Sequence, residues 1–205
     1  NWSLIAFHVG NGHTHVGIRR TDGTVVQPKE LVKFSNVLDV LGVWGELSPI
    51  LQQINPWSLP EIEGVVEVLS LQYPRKLICA GANYTDHIDE MGGGPVPDGW
   101  RPFFFLLPPT TTLIGNGDAI EIDEDPAARV DWEAELAVVV GQRGSRIDAA
   151  HAMEYVAGYA CLSDITARGA FSRDVALAAP FRFHWAESKG LDTFTPLGSI
   201  TPTWQ

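Results

Sequence analysis

The residues most able to do chemistry stand in the run Asp131-Trp132-Glu133-Ala134-Glu135-Leu136. In an extended strand alternate side chains share a face, so Glu133 and Glu135 point the same way with Asp131 beside them. Taken alone, the segment reads as a solvated acidic strand face. The next residues point the other way: Leu136 to Val140 are uninterrupted apolar side chains, as in a strand buried on both faces. Two carboxylates entering such a strand repel each other, and burial without a counter-charge is expensive. A cation between them removes both penalties. Asp164, in CLSDITAR where an apolar strand gives way to a polar turn, is a third candidate ligand. An all-oxygen set of Glu133, Glu135 and Asp164 suits Mg²⁺, Mn²⁺ or Ca²⁺ rather than Zn²⁺ or Cu²⁺. Three carboxylates also leave coordination positions for water and substrate oxygens, which makes the set catalytic in character.

His87 and Glu90 lie three apart in a segment with helical character, so they share a face. A glutamate holding one imidazole nitrogen fixes the tautomer and makes the other nitrogen a better general base. Spacing alone equally describes a surface His–Glu pair. The neighbouring Gly92 to Gly94 loop is the kind of hinge that closes over a site. Arg168, four residues after Asp164, and Lys189 in ESKGLDTF are candidates for holding a carboxylate or oxyanion, although a single basic side chain is usually a surface group.

These residues need a scaffold, and 205 residues suffice for one large domain or a small one plus a medium one. Hydrophobic residues make up 45% and charged residues 19%, ordinary values for a chain that builds a packed core. The formal charge of −11 argues against nucleic acid or an anionic membrane as partner, though not against a small anionic substrate. Cys79 and Cys161 both sit in apolar runs, where free cysteine behaves as a small hydrophobe, and they predict a reducing, cytoplasmic setting. No stretch approaches the length of a membrane span. The opening on Asn1 and the close on TPTWQ predict a chain trimmed at both ends.

Residues 1–70 read as a small N-terminal β/α domain. LIAFHVGNG and THVGIRR predict a hairpin around an Asn11-Gly12 turn, TDGTVVQ adds an Asp-Gly turn, and VLDVLGVWGELSPILQQI has helical spacing. From residue 71 the texture changes to short strands cut by Gly and Pro. KLICAGANY, FFFLLPP, AIEID and RVDWEAELAVVVG predict strands, NYTDHIDEM a short helix, and DAAHAMEYVAGY a helix capped by Asp148. The fold class is mainly β with short helices (α+β). His8, His13 and His15 surround the predicted hairpin turn and read as exposed loop residues. The FFF run and the seven tryptophans read as core or dimer interface.

AGANYTDHIDE, DWEAELAVVVG, GYACLSDITAR and KGLDTFTPLG occur in this order, and together they resemble the fumarylacetoacetate hydrolase family from about Pro74 to Gly198. The resemblance implies a mixed β-sandwich roll at residues 71–205, incomplete at its C-terminus, preceded by the small N-terminal domain. It implies a homodimer with a Mg²⁺, Mn²⁺ or Ca²⁺ ion on Glu133, Glu135 and Asp164. His87 and Glu90 match a pair that activates water, Lys189 an active-site lysine, and Arg168 an arginine near the substrate. The implied substrate is a small 2-oxo acid or 1,3-dicarbonyl. The implied activity is a metal-dependent C–C bond hydrolase, with decarboxylation, hydration, isomerisation or a non-catalytic relative as alternatives. Three features depart from the pattern. Leu107 stands where a lysine is usual, Gly169 and Phe171 stand where Asp and Gln are usual, and no Gly-Thr-Pro segment follows. These changes predict a greasier site suited to a bulkier, less charged substrate.

Overall fold

The strands expected at LIAFHVG and THVGIRR form and pair, and the first of them has apolar clusters on both sides. The computed structural model describes residues 1–10, 12–90 and 92–205. The predicted Asn11-Gly12 turn and the last residue of the NYTDHIDEM helix, Met91, lie outside the described residues at positions 11 and 91. Strands β1 (Trp2–Val9), β2 (His15–Arg20), β3 (Val25–Val26) and β4 (Val65–Val68) form an antiparallel sheet in the order β3-β2-β1-β4. Period two divides β1 between two apolar clusters: Trp2 and Leu4 on one side, Ile5 and Phe7 on the other. The Asp22-Gly23 turn forms as expected, with Gly23 at φ +88° and its N–H donating to the Arg20 carbonyl. His8 and His15 lie half-buried in β1 and β2, so of the three histidines only His13 is the exposed loop residue expected.

The predicted helix at 37–54 is two helices, α1 (Val37–Gly42) and α2 (Trp44–Leu51), broken at Val43. The Asn36 side chain accepts from the Asp39 N–H at the start of α1. Val37, Val40, Trp44, Leu47 and Leu51 pack on the sheet. This core does not stop at residue 70, because Leu113, Val139, Ala157, Leu197 and Ile200 belong to the same cluster. Backbone bonds between Leu4 and Ile200 tie the two parts of the chain together.

The remaining elements are β5 (Leu77–Gly81), α3 (Thr85–Glu90), β6 (Phe103–Leu107), β7 (Leu113–Ile114), β8 (Val130–Asp131), β9 (Ala134–Val140), β10 (Val156–Ser163), β11 (Thr166–Ala167), α4 (Trp185–Ser188), β12 (Thr195–Pro196) and β13 (Thr201–Pro202). They form the sheets β13-β10-β9, β11-β8, β12-β7 and β5-β6, with no closed barrel among the described residues. The mostly-strand architecture matches the class read from the sequence.

Four local readings are corrected. AIEID, residues 119–123, is not a strand: its apolar members Ile120 and Ile122 are exposed, so it has no face to bury. Residues 149–155 wind as a 3₁₀ helix without a side-chain cap from Asp148. The acidic strand breaks at Trp132 and Glu133, where the Glu133 carbonyl accepts from the Asp164 N–H instead of a ladder partner. Finally, β9 is not buried on both faces. Val139 is buried, but Leu136, Val138 and Val140 are 58%, 54% and 60% exposed, because β9 pairs only with β10 and no other described element covers that face.

Candidate active site

The break between β8 and β9 is what turns Glu133 toward the 164–168 segment. Thr166 and Ala167 form β11 and Arg168 opens the 3₁₀ turn that follows, and Asp164, Thr166 and Arg168 all meet Glu133 or its partners. Arg168 Nη2 donates to Glu133 Oε1 at 2.7 Å, and its Nε to Asp131 Oδ2 at 3.3 Å. The site closes on Lys189, which stands just after α4 and is 3% exposed. Its Nζ donates to Asp164 Oδ2 at 2.6 Å, Thr166 Oγ1 at 2.7 Å and Glu133 Oε2 at 2.9 Å. A buried ammonium with three oxygen partners is the arrangement that makes burial of such a charge tolerable.

Negative charge is still in excess here. Asp164 is buried, and its carboxyl is raised above the ordinary range by loss of solvent, an effect the Lys189 ion pair opposes. Glu135, half-buried on β9, is raised by burial first and then by Glu133 and Asp164, with Lys189 and His87 opposing. Among the described residues, Asp164 Oδ1 is buried without a hydrogen-bond partner. These observations fit a divalent cation: an orphaned carboxylate oxygen, a second carboxylate crowded by like charges, and an all-oxygen donor set. As placed, however, the sequence-predicted triad is not drawn onto one point. Two of its members close on the Lys189 ammonium, and among the described residues no three acidic, imidazole or thiol groups cluster tightly enough to hold a metal ion.

The other predicted residues are less closely engaged. His87 Nδ1 and Glu90 Oε2, on α3, are 3.9 Å apart with Glu90 largely exposed, so this is a Coulombic contact rather than a hydrogen bond. Among the described residues no hydrogen bond or ion pair joins the His87 ring to Glu133, Glu135, Asp164 or Lys189. Arg168 is already paired with Asp131 and Glu133. Sequence reasoning missed Thr166, although its alternation with Asp164 and Arg168 could have found it. It also missed Cys79, read only as a small hydrophobe. The Cys79 thiol lies near enough to the cluster to be pushed up to about 12 by burial and by Asp164, which keeps it protonated and poorly nucleophilic.

The departures from the pattern have structural reasons. Leu107 is buried in β6 opposite Leu77, a packing position. A side chain at Gly169 would collide with the Ala127 carbonyl, so an aspartate has no room there. Phe171 packs instead among aromatic rings, 4.8 Å from the Trp185 ring centre.

Residues 76–203 match the family model described as fumarylacetoacetate (FAA) hydrolase C-terminal. The chain belongs to the fumarylacetoacetate hydrolase family. Over 200 residues it is 31% identical to a mitochondrial oxaloacetate tautomerase of Homo sapiens, an alignment covering 97% of this chain and 58% of that protein. It is 38% identical over 128 residues to a mitochondrial oxaloacetate decarboxylase of Dictyostelium discoideum, covering 62% and 55%. A solved fumarylacetoacetate hydrolase from Exiguobacterium antarcticum superposes with a TM-score of 0.73 at 26% identity, covering 98% of this chain and 67% of that one. This fumarylacetoacetate hydrolase family chain spans about half the length of the curated relatives it matches, between 47% and 59%. No described helix is long and apolar enough to cross a membrane.

Proposed function

We propose that this chain carries the active site of a divalent-metal-dependent enzyme acting on a 2-oxo acid or a 1,3-dicarbonyl compound. The observation that carries the reading is the buried Asp164 carboxylate, one oxygen on Lys189 and the other without a partner, facing Glu133 and within electrostatic reach of Glu135. Glu133, Glu135 and Asp164 would hold the Mg²⁺, Mn²⁺ or Ca²⁺ ion. When bound, the ion supplies positive charge where a substrate oxygen becomes negative. Lys189, fixed by its buried contacts, adds a second positive charge on the same side. Arg168 holds the Glu133 carboxylate in place and lends its charge to the substrate's carboxylate end. His87, oriented by Glu90, takes a proton from water, the resulting hydroxide adds to the carbonyl, and as the adjacent C–C bond breaks its electron pair leaves as an enolate that takes the proton back from His87.

A second reading is tautomerisation or decarboxylation of a 2-oxo diacid. It is favoured by the names of the human and Dictyostelium relatives and by the loose His87–Glu90 contact, since neither reaction needs an activated water. The exposed apolar face of β9 and the exposed Phe104 and Leu106 of β6 support a homodimer. The free Cys79 and Cys161 support a reducing, cytoplasmic setting, whereas the human and Dictyostelium relatives are named mitochondrial.

The test is turnover of acylpyruvates and of oxaloacetate with and without Mg²⁺, by the chain and by His87→Ala. Hydrolytic cleavage predicts Mg²⁺-dependent turnover of acylpyruvates that His87→Ala removes. Turnover of oxaloacetate alone, surviving in His87→Ala, selects the second reading. Turnover of acylpyruvates that ignores Mg²⁺ contradicts both.

A further inference from the structure

Beside the carboxylates lies a group of five aromatic rings, and the function proposed above makes no use of it. Phe103 and Phe105 come from β6, Phe171 from the segment after Arg168, Phe183 from just before α4 and Trp185 from its first position. Trp185 is the hub: its ring lies 5.1 Å from Phe103, 4.8 Å from Phe105, 4.8 Å from Phe171 and 6.1 Å from Phe183. Gly81, paired with Phe103 across β5 and β6, leaves the backbone bare where the Phe103 ring lies over it.

These rings are not core. None belongs to a buried apolar cluster of the described residues, and Phe103 and Phe183 are 43% and 47% exposed. Five rings in mutual contact, tilted, stacked and edge-to-face, yet partly wet have apolar area to give to a ligand. The rings also adjoin the charged site directly. The Lys189 N–H donates to the Trp185 carbonyl, so ammonium and hub ring share one helical turn, and Lys189 Nζ lies 5.9 Å from the Phe105 ring centre. A protein interface is depleted of charge at its centre, whereas a small-molecule site sets a few polar groups against an apolar wall. The second description fits.

We propose that these five rings form a subsite for an apolar, aryl-sized tail of the substrate, and that Phe171 and Phe183 set the preference for such tails. The proposal rests on the reading that a 2-oxo acid head is held at Lys189 and the three carboxylates. A tail ending in a second carboxylate is disfavoured by contact with ring faces, while a phenyl or branched aliphatic tail gains by leaving water.

The test measures binding of oxalate, pyruvate and phenylpyruvate by calorimetry in the presence of Mg²⁺. Phenylpyruvate is expected to bind roughly tenfold or more tighter than pyruvate, the scale on which an apolar pocket discriminates. In Phe171→Ala and in the half-exposed Phe183→Ala the ratio should fall to within about threefold, and oxalate binding by each variant reports that the head site is folded. Equal affinities for pyruvate and phenylpyruvate, or a preference that survives both variants, overturn the subsite while leaving the 2-oxo acid reading intact. Failure of all three ligands to bind overturns that reading and the subsite with it. A dimer that becomes monomeric in the variants with the ratio unchanged shows the rings to be an interface and also overturns the proposal.

Discussion

The N-terminal sheet and the carboxylate site solve opposite problems. In the sheet, Leu4, Ile5, Val16, Ile18 and Val26 are fully buried and need only apolar neighbours. In the site, Asp164 and Lys189 are buried as deeply as a core residue, while Leu136, Val138 and Phe104 lie exposed. The sheet is held by removal of apolar surface from water, which is additive and tolerant. The site is held by charges that are acceptable only in each other's company. The difference teaches where function sits in this molecule: where polar groups are inside and apolar ones outside, the structure is arranged for something other than its own stability.

The comparison breaks most visibly at Lys189. Lys189→Met should cost about 3–5 kcal/mol of stability without added metal, because it leaves the Asp164 and Glu133 carboxylates without their buried counter-charge. Chemical denaturation measures this, and added Mg²⁺ should recover part of the loss by binding the native state. Ile18→Val, in the sheet, should cost only about 0.5–1.5 kcal/mol, and Mg²⁺ should recover none of it beyond its effect on the parent chain. Recovery of both variants to the same degree would erase the distinction between the two regions.

A further contrast is with pH. Glu135 and Asp164 have carboxyl groups raised above their ordinary values of 4.5 and 3.8. A raised carboxyl favours the folded state while it is protonated and loses that contribution as pH rises through its folded value. Metal-free protein should therefore lose stability as pH climbs from the ordinary carboxylate range into the region just above it. Glu135→Gln should flatten that part of the curve in thermal melts, and Ile18→Val should leave its shape unchanged.

The sequence made much of this legible, and unevenly. Period two and the Asp22-Gly23 turn located the N-terminal sheet, because local alternation and turn chemistry act within a few residues. The Glu-x-Glu spacing, Asp164 and Lys189 were legible as candidates only together, through the four ordered blocks that resemble the family, since each alone equally describes a surface group. Their mutual geometry was not. The break at Trp132 and Glu133 depends on a backbone bond to Asp164 thirty-one positions away, and the Lys189 ammonium bridges two carboxylates from separate segments. The exposed face of β9 was misread because an apolar run looks the same whether a covering layer is present or not. The ring group around Trp185 was invisible, as its members come from three distant segments with no shared pattern.

The central claim is that Glu133, Glu135 and Asp164 hold one hard cation. It is tested most directly by Mn²⁺ titration followed by electron paramagnetic resonance, on the parent chain and on Glu135→Ala. The account predicts one bound Mn²⁺ per chain, displaced by Mg²⁺, and its loss in the variant. Bound Mn²⁺ that persists undiminished in Glu135→Ala, or no binding by the parent, would contradict it.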